Sequence, residues 1–179
     1  MGTLLQEISK KVFSEQKNNP NYWLNKSADL HASAKGLWDS MDGNTNLTVR
    51  CWSPYLMLCG MALETMFKAI IVADNRTPQP THNLCLLSEA AGLNFDYQGN
   101  KVLKILSESI IWEGRYPVPK SDNYFYEYCE IVFSTDILKW SAIHSLWQRA
   151  SELFHSKIDQ HSSVASVPAS EGTDLHSSQ

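Results

Sequence analysis

The stretch Pro54 to Ala73, PYLMLCGMALETMFKAIIVA, is apolar throughout except at Gly60, Glu64, Thr65 and Lys68. Gly60, Glu64 and Lys68 fall four residues apart, so on a helix they form a narrow polar stripe, and Leu, Met, Phe and Ile fill the rest of the circumference. Such a helix must be packed on most of its sides. A membrane span would place Glu64 and Lys68 near the bilayer centre, where a lysine alone costs roughly 2.5–3.5 kcal/mol, with no second apolar segment to shelter them. The stretch therefore predicts the central helix of an all-α fold that does not enter a membrane.

The flanking residues repeat the helical period. Leu4, Leu5, Ile8, Val12 and Phe13 mark a helix up to about Lys17. Asn19-Pro20 reads as a cap and first-turn proline, followed by a stripe of Trp23, Leu30, Ala34, Leu37, Trp38 and Met41. Asp42-Gly43-Asn44 is a turn cluster, the residues up to Thr48 read as a surface loop, and Ser53-Pro54 supplies the start of the central helix, which has room to begin a turn earlier. Asp74 to Pro80 holds two prolines and reads as a rigid connector. Thr81 can cap the next helix, with Leu84, Leu87, Ala90 and Ala91 on its apolar face and Gly92 closing it. After a turn at 94–100, Val102, Leu103, Ile105, Leu106, Ile110 and Ile111 give a further helix that ends at Gly114. Arg115 to Tyr126 reads as an extended aromatic loop. Tyr128 to Phe133 carries strand-forming residues but has no partner strand, so helix onset or irregular packing is preferred there. From Ser134 onwards, Ile137, Trp140, Ile143, Leu146, Trp147, Ala150, Leu153 and Phe154 mark the last long helix. These segments predict one bundle of five to seven helices over residues 1–158, with a Ser-rich disordered tail over 159–179.

Charge and cysteines narrow the function classes only slightly. The formal charge is −4, and much of it lies in the tail, so the body is near neutral and bulk charge neither recruits nor excludes RNA. Cys51, Cys59, Cys85 and Cys129 contain no CxxC pair and read as thiols of the helical interior rather than metal ligands or disulfides. No cofactor is expected. The start of the chain has no apolar run of signal-peptide length, which favours the cytoplasm and leaves the sequon at Asn46 idle. Gly2 lacks the Ser or Thr four residues on that myristoylation favours.

Gly60-Met61-Ala62-Leu63-Glu64, then Lys68-Ala69, a Pro-rich loop, Thr81-His82-Asn83-Leu84, a helix, and Trp112-Glu113-Gly114-Arg115-Tyr116-Pro117 together resemble the HEPN family of helical domains over about residues 52–119. The resemblance implies an all-α bundle, frequent homodimers and, in many members, metal-independent RNA cleavage within toxin–antitoxin, CRISPR or phage-defence systems. Other members are binding modules without catalysis. It further implies RNA or a nucleotide as ligand and a protein partner in a defence or toxin–antitoxin setting. The catalytic members carry an Arg, four to six intervening residues and a His, commonly with a polar residue after the Arg. Arg76 to His82, across the Pro-rich connector, and Arg149 to His155, where Ala150 follows the Arg, match that gap.

A metal-independent ribonuclease needs a His near the attacking or leaving oxygen and a cation for the phosphorane charge, and a twofold dimer can present two such pairs in one cleft. Arg149 and His155 are the first candidates and Arg76 and His82 the second. Six residues on a helix, however, leave Arg149 and His155 about 120° apart around the axis. The plainer reading gives Arg149 an acidic neighbour, Glu152 or Asp159, leaves His155 at a fraying end, and has His82 close the first turn of its helix. Arg115, between Trp112 and Tyr116, can clamp a phosphate or stack on a base, but capping the carbonyls of the preceding helix is the preferred role. Glu64 and Lys68 form either a simple i,i+4 pair or an anchor in which Glu64 holds Arg115 or His82. The binding candidates are thus Glu64, Lys68, Arg115 and Tyr116. A nucleic-acid-associated interaction module is the leading reading, with an Arg–His endoribonuclease and a ligand-free dimerisation scaffold as the alternatives.

Overall fold

A computed structural model describes residues 2–119, 121–132 and 136–165. Among the described residues the chain forms an all-α bundle of seven helices: α1 (Gly2–Asn18), α2 (Pro20–Met41), α3 (Thr45–Ala73), α4 (Leu84–Ala90), α5 (Tyr97–Glu108), α6 (Asp122–Val132) and α7 (Trp140–Ala165). A π-helical turn, Ser109–Glu113, continues α5, and a 3₁₀ turn, Asp136–Leu138, precedes α7. No strand occurs among the described residues, and Tyr128 lies within α6, as the lack of a partner strand predicts. Residues 133–135 lie outside the described residues.

α3 is the strut on which the rest is built. Leu56, Leu63, Met66, Phe67 and Ile70 are fully buried, and α2 and α7 pack along its length while α4, α5 and the π-turn cover its other sides. It is long and apolar enough to cross a membrane, and most of it is buried inside the bundle. Gly60 is needed for that packing: a Cβ there would lie 2.8 Å from both the Leu106 carbonyl oxygen and Ile110 Cγ1. Glycine lets the two backbones approach this closely. Asn19 caps α2 as expected, its side chain accepting from the Asn21 N–H at 3.0 Å with Pro20 in the first turn.

The start of α3 corrects the expected loop. The helix begins at Thr45, not at Ser53-Pro54, because Asn44 Oδ1 accepts from the Leu47 N–H and Thr48 Oγ1 donates to the Met41 and Asn44 carbonyls. This cap lies ahead of the proline signal, and the polar stretch is the exposed first turn of a helix. Pro54 then sits in the helix interior, where it removes one donor at a cost of about 3 kcal/mol in an isolated helix. Burial of Tyr55 and Leu56 just beyond it offsets that cost. The cap of α4 is likewise Asn83, which accepts from the Leu86 N–H, and not Thr81, whose hydroxyl accepts from the Asn83 N–H.

α1 differs from the rest. Leu4, Leu5, Ile8, Val12 and Phe13, whose spacing marked the helix, are all exposed, and α1 touches little beyond α2. At the other end, α7 continues to Ala165, past the expected limit at residue 158. Residues 166–179 of the expected tail lie outside the described residues.

Candidate functional site

Glu64 and Lys68, one turn apart on α3, meet the residue that leads into α4. Glu64 Oε2 lies 2.9 Å from His82 Nδ1 and Glu64 Oε1 accepts from Lys68 Nζ at 2.5 Å, so one carboxylate holds both side chains. The Glu64 and Lys68 side chains are only 10% and 12% exposed, whereas His82 is 54% exposed. A carboxylate can only accept, so Nδ1 carries the proton and donates to Glu64. Nε2 is then the free end of the ring, an acceptor when the imidazole is neutral and a donor when it is charged.

Local structure fixes this geometry. α3 ends in a Schellman closure, with Asn75 left-handed at φ 58°, the Asn75 N–H donating to the Val72 carbonyl and the Arg76 N–H to the Ile71 carbonyl. The connector then runs through Pro78 and Pro80 to His82. Beyond it the Leu84 N–H donates to Ser107 Oγ at 2.9 Å, and that hydroxyl donates to the Leu103 carbonyl, which ties the start of α4 to α5. Beside Lys68 a groove of about 440 Å³ opens between α1 and the connector, walled by Phe13, Trp23, Pro78 and Pro80, with Lys17 at its rim.

The Arg–His pairs are not joined within the chain. Arg76 donates to Asp74 Oδ2 at 2.9 Å and to the Ala90 carbonyl at 2.7 Å, which pins the α3 end to the α4 end and leaves no bond to His82. Burial alone would raise the Asp74 carboxyl, but Lys157 and Arg76 hold it below the usual aspartate range. Arg149 lies over the Phe95 ring, 5.1 Å from its centroid, in place of the expected acidic neighbour. His155 meets the Phe154 ring edge-on at 5.5 Å and lines a shallow depression on α7 with Trp147, Glu152 and Asp159. Its contacts are with these neighbours and not with Arg149.

Arg115 takes the capping role. Its guanidinium donates to the Ile111 carbonyl and lies 5.6 Å from the Tyr116 ring centroid, so the helix end and its own neighbour hold it rather than Glu64. Gly114 rests against α3 at Met57, and Ser53 Oγ donates to the Glu113 carbonyl. Arg115 and Tyr116 therefore sit about two turns of α3 before Glu64, at a separate place.

Two clusters have no counterpart in the sequence reading. Glu113, on the π-turn, has a buried Oε2 with no hydrogen-bond partner among the described residues, and burial pushes its carboxyl above the ordinary glutamate range. Its position at the end of an apolar run, SIIWE, was the available signal. Between α2 and α7, His31 Nε2 lies 3.1 Å from His144 Nδ1, with His31 stacked on Trp147 at 4.1 Å and tilted on Trp140 at 4.6 Å. A separation of 113 residues leaves no local pattern to read.

Comparison with known proteins returned no match to a family model, to a curated protein or to a solved structure.

Proposed function

We propose that the chain is a HEPN-like, nucleic-acid-associated interaction module that receives a phosphate of RNA or of a nucleotide at the His82 face and works as a homodimer. The observation that carries this reading is the Glu64–His82 bond. A buried carboxylate orients an exposed imidazole and leaves Nε2 facing outward, and the same carboxylate keeps the Lys68 ammonium beside it. Histidine and lysine side by side are phosphate-binding chemistry, and a carboxylate behind the ring sets its orientation. The resemblance over residues 52–119 supports the same assignment, because its His and its Glu are the two residues that meet. Cleavage by an Arg–His pair would need the arginine to come from a second protomer, since Arg76 is engaged with Asp74 and Ala90.

The test is fluorescence anisotropy with a labelled single-stranded oligoribonucleotide at fixed, low ionic strength. His82→Ala removes an exposed side chain and should weaken binding at least about tenfold, on the order of one charge-assisted hydrogen bond. Wild-type affinity in that variant, or no binding by the native chain, rejects the assignment. Gel analysis of the same samples separates a binder from a nuclease.

A further inference from the structure

We propose that the groove between α1 and the Pro-rich connector is a stacking subsite for the base of the nucleotide whose phosphate meets Lys68 and His82, an inference that rests on the phosphate-binding assignment above. At about 440 Å³ the groove is within the range of small-molecule sites. Its charge is of one sign, since Lys17 and Lys68 line it and no acid does. Lys68 gives one of its three donors to Glu64, and Lys17 makes no ion pair among the described residues. An anionic ligand complements this lining.

The walls call for a flat aromatic group. Of the six tryptophans, Trp38, Trp52, Trp112, Trp140 and Trp147 each pack against another aromatic ring. Trp23 packs against none among the described residues, yet its ring is held in place because Nε1 donates to the Lys17 carbonyl at 3.1 Å. Phe13, 67% exposed on α1, lines the same groove. The two prolines keep the third wall rigid. A fixed indole with no ring partner among the described residues, an exposed phenyl ring and two lysines, one of them also paired with Glu64, are the composition of a base-stacking platform with an electrostatic rim. Lys68 belongs both to this groove and to the Glu64 carboxylate that holds His82, so a base in the groove leaves its phosphate beside the imidazole.

The experiment uses the full chain and a labelled pentaribonucleotide, with Phe13→Ala, Trp23→Leu and His82→Ala, and with Leu5→Ala, an exposed α1 residue outside the groove lining, as control. Phe13→Ala and Trp23→Leu should each weaken binding about five- to a hundredfold, the range for losing one stacked base, while Leu5→Ala binds as the native chain does. Phe13 is exposed, so its variant keeps the test valid even if Trp23→Leu lowers stability, which a thermal melt reports. Unlabelled AMP as competitor identifies the source: displacement means that a single nucleotide suffices, and binding of the strand alone means that neighbouring units are required. Either result, with loss in Phe13→Ala, supports the subsite. Loss of RNA in His82→Ala with native affinity in both groove variants overturns the subsite and leaves the phosphate assignment standing. An absence of binding by the native chain overturns both.

Discussion

Glu64 Oε2 is 2.9 Å from His82 Nδ1 across a sequence separation of 18 residues, and that single contact ties the middle of α3 to the entry of α4. Removing the carboxylate strands two groups of different exposure. His82 returns to solvent at little cost, whereas the Lys68 ammonium, 12% exposed, loses the acidic partner that holds it. Breaking a buried pair from one side costs about 3–5 kcal/mol, and the partial exposure here places Glu64→Ala near the lower end. For a chain of this size the expected fall in Tm is about 6–12 °C. The double variant Glu64→Ala/Lys68→Met should recover much of the loss. An unchanged melting temperature in Glu64→Ala would show that the carboxylate is structurally idle, and the Arg115 loop should be untouched either way.

Gly60 and Gly36 make opposite predictions from the same substitution. At Gly60 a new Cβ would meet the Leu106 carbonyl oxygen at 2.8 Å, a backbone atom that cannot rotate away, so overpacking of about 1–3 kcal/mol outweighs the helix-propensity gain of about 1 kcal/mol. Gly36, inside α2, has nothing within 4 Å of its Cβ position, so Gly36→Ala should stabilise by about 0.5–1 kcal/mol. Urea titration of both variants checks the pair, and a stable Gly60→Ala would mean that α5 yields.

The features legible in the sequence were those carried by period or by a local stripe. The central helix, its Gly60-Glu64-Lys68 stripe, the Asn19-Pro20 entry and the capping role of Arg115 were all readable, because each depends on residues within a turn or two of one another. The true start of α3 was hidden because Ser53-Pro54 looks like a helix start, while the Asn44 cap is completed by Thr48 Oγ1 donating to the Met41 carbonyl of α2. The exposure of the α1 stripe was not readable, because periodicity shows an amphipathic face and not what covers it. The His31–His144 contact and the orphaned Glu113 oxygen depend on how α2, α5, α6 and α7 come together, which no local pattern encodes.

Ser27 is a buried polar joint among three helices. Its hydroxyl donates to the Ala62 carbonyl at 2.7 Å and accepts from Trp147 Nε1 at 2.8 Å, so α2, α3 and α7 share one oxygen. Ser27→Ala leaves the indole N–H without its acceptor and should cost about 1–3 kcal/mol, a Tm drop of roughly 3–9 °C. The double variant Ser27→Ala/Trp147→Phe removes both sides of the indole bond, and its loss should be smaller than the sum of the single losses. Strict additivity in that double-mutant cycle would show that the hydrogen bond contributes nothing.

His31 makes the α2–α7 contact sensitive to acid. Burial and then the neighbouring His144 lower its pKa to about 4, below the ordinary 6.5 of the unfolded chain. Between those values the unfolded state binds the proton that the folded state refuses, so stability is fully present above about pH 6.5, falls as the pH drops towards 4, and changes no further through this group below that. The groups around it are His144, Trp140 and Trp147 on α7, with Lys35 of α2 5.9 Å from the Trp140 ring centroid. The imidazole is partly exposed to solvent, which screens the effect and keeps it well below what the full shift would imply. His31→Gln should flatten this part of the profile, so that the native chain loses more of its urea midpoint between pH 7 and pH 4.5 than the variant does. Parallel pH profiles for the two proteins would assign the acid sensitivity to other groups.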